Sequence, residues 1–499
     1  MRFARAWPVG ALLAMLVLSV AMNLATSKPA NFTGGDAPDY LATAYHLAHH
    51  HVFARDPTAA EVAPGIGREP GYPLFAAALM SVDPGLGTYT PECARHVGSC
   101  DLARFRLASL ANLMLVELSG VLLFLLAFRV TGSMSASLVA AGYTLLNLHM
   151  NRFWQDPVSD RLAMFLVVAT MLAFSFAWGT RHAARWSFFA TALSALTLTK
   201  AVYLPYSVLA GLAAFLWVFA RPTDVRSKLR ILGLVSCVYA VLVGGWVLRN
   251  FAVSGELRIT DNRAGLMLST REALDHMTPA QYVASFIYWT RGPGPGLAQR
   301  LFGPELTAPL GLEEPGGFFL GGQDRYNGHV EALATAEHID ILAASARMDR
   351  EVIGEISEHP LAYAALIFPV LYRGFWIDEF ALIGIPALFF ATWRSWRRGE
   401  TLKILLLSVG IYNEVFHALI SLNIPRFQIT AMPSVAIAVA LAFSALARVL
   451  SRKARAIDLA ATIVPVRALA RSNALIAAEA SATPVARSTT IGGHDPKPG

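Results

Sequence analysis

Asp36 and Asp39 stand close together in Gly34-Gly35-Asp36-Ala37-Pro38-Asp39-Tyr40, and an Arg-Glu pair follows in Arg68-Glu69-Pro70-Gly71-Tyr72-Pro73. Three-residue spacing puts both carboxylates on one side of a short helix. Further charged groups recur at the ends of apolar runs: Asp156 and Asp160, Lys200, Arg249 beside Trp246 and Asn250, and Arg426. A charge left bare in hydrocarbon costs roughly 2.5–3.5 kcal/mol on insertion scales. Each of these groups must therefore be solvated, paired or working. A carboxylate at such a rim can take a proton from an acceptor hydroxyl. Cations beside it can stabilise a departing phosphate whose lipid tail lies between helices.

The elements that must position these residues are apolar helices. The chain has 499 residues, 55% hydrophobic and only 15% charged, against about 25% charged in soluble domains. Ten runs are long enough to cross a bilayer as helix: about 7–26, 105–128, 134–151, 160–178, 186–202, 204–220, 231–249, 377–393, 403–420 and 428–447. The net charge of +7 comes from short clusters between these runs, which fits the positive-inside rule and argues against nucleic acid as a partner. Arg2 and Arg5, Arg181 and Arg185, Arg221 to Arg230, Arg394 to Lys403, and Arg448 to Arg455 all fall on one side of a ten-span scheme. That side is the cytoplasm, and both termini lie there.

The reading is thus an all-α polytopic membrane protein with two large extracytoplasmic loops, about 27–104 and 250–376, in a domain covering 1–450. Gly71–Val82 and Leu361–Trp376 are interfacial or re-entrant helices in this scheme. The pattern Val330, Leu333, Ile339, Leu342, Ala346, Ile353, Ile356 predicts one amphipathic helix from about Val330 to Glu358, stopping before Pro360. Residues 451–499 form a cytoplasmic tail, loosely helical and then disordered, suited at most to anionic lipid contact. A cleaved N-terminal signal peptide is the alternative to the first span and would break the sidedness agreement. Of the three cysteines, Cys93 and Cys100 either close a small disulfide or stay as thiols, and Cys237 reads as a small buried hydrophobe.

Five segments in order carry a resemblance. Gly35-Asp36-Ala37-Pro38-Asp39-Tyr40-Leu41-Ala42 and Arg68-Glu69-Pro70-Gly71-Tyr72-Pro73-Leu74-Phe75 look like the opening of GT-C-type membrane glycosyltransferases, the dolichyl/polyprenyl-phosphate-sugar-dependent group that includes family-39-like enzymes. Gly245-Trp246-Val247-Leu248-Arg249-Asn250-Phe251 is similar to that family's Trp-x-x-Arg-Asn-Tyr segment. His359-Pro360-Leu361-Ala362-Tyr363 and Pro425-Arg426-Phe427 resemble its later landmarks. The resemblance implies a GT-C-like fold and inverting transfer from a polyprenyl-phosphate sugar to an extracytoplasmic glycan or glycolipid acceptor, and the high alanine content and compact loops point to a bacterial cell membrane. It implies Asp36 as general base with Asp39 in reserve. Arg68, Glu69, Tyr72, Asp160, Lys200, Arg249 and Arg426 then line the substrate site, with no cofactor or metal indicated. Two departures stand out: Asp160 where many relatives carry Glu, and Lys200 where Arg is common. The adjacent Asp-Glu of the protein O-mannosyltransferase branch is missing, which speaks against a protein acceptor.

Each assignment has a plainer competitor. Asp36 and Asp39 suit helix caps, Arg68 and Glu69 can pair with each other, and Asp160 can pair with Arg161 or Arg152. Arg249, Lys200 and Arg426 can simply snorkel to the headgroups. His46, His49 and His50, and the spacing Glu414-x-x-His417, have the look of metal ligands but lack the convergent set a site needs. Glu117, inside the second span, reads as a hydrogen-bonded interior group. A transporter or flippase of lipid-linked sugars is the alternative function, although neither repeated halves nor midplane charges are evident. A catalytically dead scaffold of the same fold is a third reading.

Overall fold

The computed structural model describes residues 2–27, 35–54, 62–95, 105–151, 154–220, 224–260, 264–375 and 379–453. The chain divides into Met1–Phe443 and Ser444–Gly499. Among the described residues the secondary structure is helical, apart from one isolated bridge between Ala54 and Pro64. We number the principal helices in chain order. They are α1 Arg2–Ala25, α2 Ala37–His50, α3 Gly71–Val82, α4 Arg106–Thr131, α5 Met134–Leu145, α6 Asp160–Ala177, α7 Ala183–Thr199 and α8 Tyr203–Ala220. Next comes α9, Val225–Ser254, an α-helix with a π turn at Ala240–Gly244. Then follow α10 Ala264–Ala273, α11 Pro279–Tyr288, α12 Gly294–Phe302, α13 Phe318–Glu337, α14 Ile341–Glu358, α15 Pro360–Phe375, α16 Ala381–Arg397 and α17 Thr401–Ile420. The last is α18, Met432–Lys453.

Among the described residues six helices are long and apolar enough to cross a bilayer: Trp7–Ala25 of α1, then α4, α6, α9, α17 and α18. The chain is an integral membrane protein on that composition. A helix coincides with each of the ten expected runs; of the other four, α5, α7 and α16 are shorter, at 12, 17 and 17 residues, and α8 has 18. The run 134–151 is interrupted because Asn151 donates its side-chain amide to the carbonyls of Thr144 and Leu145, at 3.3 and 3.2 Å. That bonding satisfies the end of α5 and leaves only the short helix Leu148–Asn151 beyond it.

The largest core joins α4, α5, α6, α16, α17 and α18 through Leu123, Leu126, Leu145, Met164, Leu388, Leu406 and Ile437. Lipid is as apolar as these side chains, so close packing rather than water exclusion holds such helices together. Gly120 against Leu145 and Gly410 against Ser434 allow the close approaches. A second core, with Tyr40, Leu41, Tyr72, Met80, Tyr89 and Phe105, ties α2 and α3 to the start of α4.

The segment from α10 to α15 is a folded helical layer. Leu274, Ala284, Trp289, Leu310 and Leu366 pack with Ala418 and Leu422 at the end of α17. The single helix expected from Val330 to Glu358 is instead two. His338 takes a left-handed conformation, φ 55°, and ends α13. Val330 of α13 still shares a cluster with Ala344, Met348 and Val352 of α14, so the apolar stripe continues across the break. Cys93 is disulfide-bonded and Cys237 is free and exposed, which corrects its expected burial: α9 shows almost no protein-facing side. Cys100 and the tail beyond Lys453 lie outside the described residues.

Candidate active site

Asp36 occupies the residue before α2, yet its side chain makes no cap hydrogen bond. It bridges two guanidiniums instead. Arg68 donates Nη2–H to Asp36 Oδ1 at 2.8 Å, and Arg426 donates its own Nη2–H to Oδ2. Arg68 also donates to Asp39 Oδ2 at 2.6 Å and lies 4.8 Å over the Tyr40 ring. The expected local pair of Arg68 with Glu69 is replaced by these bonds. Glu69 accepts from the backbone N–H of Ala201 at 3.2 Å.

Asp160 opens α6, where a negative charge meets the positive helix end. Its side chain is 2% exposed and takes two cations: Lys200 at Oδ1 and Arg426 Nε at 3.1 Å from Oδ2. Lys200 follows α7 directly, where a cation meets the negative helix end. Asp160 therefore pairs across helices, with Lys200 and Arg426 as well as the neighbouring Arg161 charge. Three carboxylates (Asp36, Asp39, Asp160) and three cations (Arg68, Arg426, Lys200) thus form one continuous network of cancelling charge.

Close packing sets the spacing. A methyl on Gly71 would come 2.7 Å from Thr199 Cα. Only glycine lets α3 abut the end of α7, which brings Glu69 to Ala201 and Arg68 toward the Lys200 corner. Tyr40 donates its hydroxyl to Ser159 Oγ at 3.1 Å, and Tyr72 meets the Tyr40 ring edge-on at 5.2 Å. Burial pushes both phenols above the ordinary tyrosine range, so they stay neutral. Burial opposes the charge on Arg68, but Asp36, Tyr40 and Asp39 outweigh it and hold this guanidinium above its usual range. Arg426 behaves likewise, through Asp160 and Asp36.

Arg249 is placed differently. Its guanidinium lies over Trp246 at 5.0 Å and Phe53 at 5.6 Å, and donates to the carbonyls of Gly65 and Phe53. Asn250 donates to the carbonyls of Arg258 and Ile259 at 2.8 and 2.9 Å. The Trp-x-x-Arg-Asn residues therefore hold the segments around Phe53, Gly65 and Ile259 to the end of α9. Among the described residues Arg249 meets no carboxylate of the network.

No family model and no curated protein matches the chain. Among solved structures it is similar to the Archaeoglobus fulgidus oligosaccharyltransferase complex with Zn and sulfate, with a TM-score of 0.45 and 13% identity over 88% of this chain and 51% of that one. The apo form of that enzyme gives a TM-score of 0.39 and 11% identity with the same coverage. The chain spans about half the length of the solved structures it matches.

Two neighbours of the network carried little sequence signal. Phe427 follows Arg426 and stacks on His417, centroids 4.4 Å apart, with the Lys200 ammonium 5.8 Å from its ring. Ser159, the residue before Asp160, receives the Tyr40 hydroxyl; a serine directly before an acidic helix start was its only cue. Of the metal-like patterns, His46 and His50 stack beside Tyr45, and Glu414 accepts from Asn423 at 3.2 Å. Glu117 accepts from Ser19 at 2.7 Å. A cavity of about 20 Å³ between α5, α15, α16, α17 and α18 borders Glu414 rather than the network carboxylates.

Proposed function

We propose that this protein is an integral-membrane glycosyltransferase that moves a sugar from a polyprenyl-phosphate donor to an extracytoplasmic glycan or glycolipid, with inversion and with Asp36 as general base. The supporting observation is the placement of Asp36, one oxygen on Arg68 and the other on Arg426. Two guanidiniums keep the carboxylate ionised, the form a base requires. They are also the groups whose fork geometry suits phosphate.

In this reading the resting network stands in for the bound donor. The donor phosphate takes Arg426 and Lys200 from their carboxylates, and Asp36 Oδ2 turns to the acceptor hydroxyl. The acceptor oxygen attacks the anomeric carbon from the face opposite the phosphate. Its proton passes to Asp36, and the electrons of the broken C–O bond stay on the phosphate, where Arg426 and Lys200 stabilise them. Asp39 keeps Arg68 in place and is the reserve base. Asp160 orients Lys200 and Arg426. Glu69 and Tyr72 fix the Arg68 segment, and Arg249 anchors the first loop rather than meeting the phosphate.

The test is transfer of labelled sugar from polyprenyl-phosphate donor to cell-envelope glycan by the reconstituted protein. Asp36→Asn is expected to lower turnover by about 100-fold or more, the usual range for general-base loss, with donor binding retained. Asp39→Asn is expected to lose far less. Full turnover in Asp36→Asn would sink the assignment. Movement of intact donor between leaflets without transfer would favour the flippase reading.

A further inference from the structure

A guanidinium cannot shed its charge at neutral pH, so a buried one needs a negative partner. Arg373, in the last turn of α15, is half-buried with its Nη1 enclosed, and among the described residues it has none. Its Nη1 is shut off from solvent without a hydrogen-bond partner, and among the described residues no carboxylate pairs with it. Glu379, close in sequence, is mostly exposed and lies 3.3 Å from His149.

The surroundings hold Arg373 in place and add positive charge. Its guanidinium lies 4.9 Å over the ring of Trp289, whose indole N–H is fixed on Leu310 O at 3.1 Å. One residue further, Thr290 Oγ1 and Tyr372 OH share a 2.6 Å hydrogen bond. The ends of α11 and α15 are therefore locked together, Trp289 against Arg373 and Thr290 against Tyr372. Arg291 comes next, and burial together with the Arg291 charge pushes Arg373 down to about 9. Gly292, at φ 77°, turns the chain so that α12 starts against the same corner. A methyl on Gly294 would sit 3.1 Å from both Thr290 Cβ and Tyr288 O. The nine-residue α12 thus starts against the end of α11, and with Pro293 and Pro295 lacking N–H groups, Gly294 and Gly296 carry the free amides of its first turn.

The corner lies at the same end of the bundle as the charge network. Gly374 packs against Asn423 and Glu414 so tightly that a methyl would meet Asn423 Cγ at 2.8 Å, and Asn423 leads directly into the turn bearing Arg426.

We propose that Arg373, on the Trp289 ring at the start of α12, binds the phosphate of a lipid headgroup. The site needs nothing from the transfer reading, which assigns Arg373 no role. A resident phospholipid and a polyprenyl phosphate present the same phosphate chemistry to this site.

Thermal unfolding of delipidated protein, with and without short-chain phosphatidylglycerol, tests it. Wild type is expected to gain several degrees on adding the lipid, and Arg373→Met to gain none. Without lipid, Arg373→Met should be at least as stable as wild type, because it removes a charge with no partner. Lipid binding should weaken at least tenfold in Arg373→Met and only a few-fold in Arg373→Lys. An equal lipid response in wild type and Arg373→Met, with the variant less stable throughout, would mark Arg373 as a packing residue and overturn the proposal. If Arg373→Met does not fold, native mass spectrometry of the wild type decides: one phospholipid retained through washing supports the site, and none retained or taken up defeats it. Adding undecaprenyl phosphate then identifies the source. Displacement of the phospholipid points to the isoprenoid phosphate, and simultaneous binding points to a resident lipid.

Discussion

At the scale of single residues, the network works because no carboxylate depends on a neighbour in sequence. Arg68 reaches Asp36 across 32 positions, Lys200 reaches Asp160 across 40, and Arg426 reaches Asp36 across 390. Sequence reading picked out these residue types from their recurrence at helix ends, with local pairing of Arg68 with Glu69, and of Asp160 with Arg161 or Arg152, as the plainer alternative. Adjacent side chains do not face each other, so Arg68 takes partners that only the fold supplies, and Asp160 adds Lys200 and Arg426 to the neighbouring Arg161 charge. Removing one member of a buried ion pair leaves a bare charge, at about 3–5 kcal/mol. Arg426→Met is therefore expected to destabilise by an amount in that range, because it strips a cation from both Asp36 and Asp160. Lys200→Met combined with Asp160→Leu should cost less than the two single changes added together. Denaturant unfolding in detergent, run as a double-mutant cycle, measures both.

At the scale of elements, apolar periodicity located the helices well and their interruptions poorly. The signals that broke the pattern were polar and short: Asn151 folding back on the end of α5, and His338 turning left-handed between α13 and α14. Neither disturbs hydropathy, so neither was legible. The same holds for Gly71, which the sequence marks only as the start of a short helix and which serves as a contact surface between α3 and α7. Gly71→Ala is expected to destabilise by about 1–3 kcal/mol, as overpacking usually does, and to loosen the Arg68 segment. Thr199→Ala should fail to restore it, because the obstruction includes the Thr199 Cα. Unfolding midpoints of the single and double variants check this.

At the scale of the whole molecule, the helical membrane architecture was legible, and the ten-span count and its sidedness stand as expectations. Two of the five basic clusters expected on one side meet: Arg181 pairs with Asp224 between the turns that follow α6 and α8. The loop carboxylates and their cations gather apart from them. Length and composition single out six helices among the described residues, and the shorter helices need a direct probe of sidedness. A cysteine introduced at the exposed Ser81 should react with an impermeant maleimide in intact cells. One at the exposed Arg397 should react only after permeabilisation. Labelling of both before permeabilisation would refute the sidedness scheme.

The cancellation within the network has a further consequence. Three acids against three bases leave almost no potential beyond a Debye length of about 8 Å at physiological salt. Such a centre does not draw an anion in from afar. Capture begins only when a lipid drifting sideways through its leaflet touches the rim, and entry is then an exchange of partners rather than an attraction.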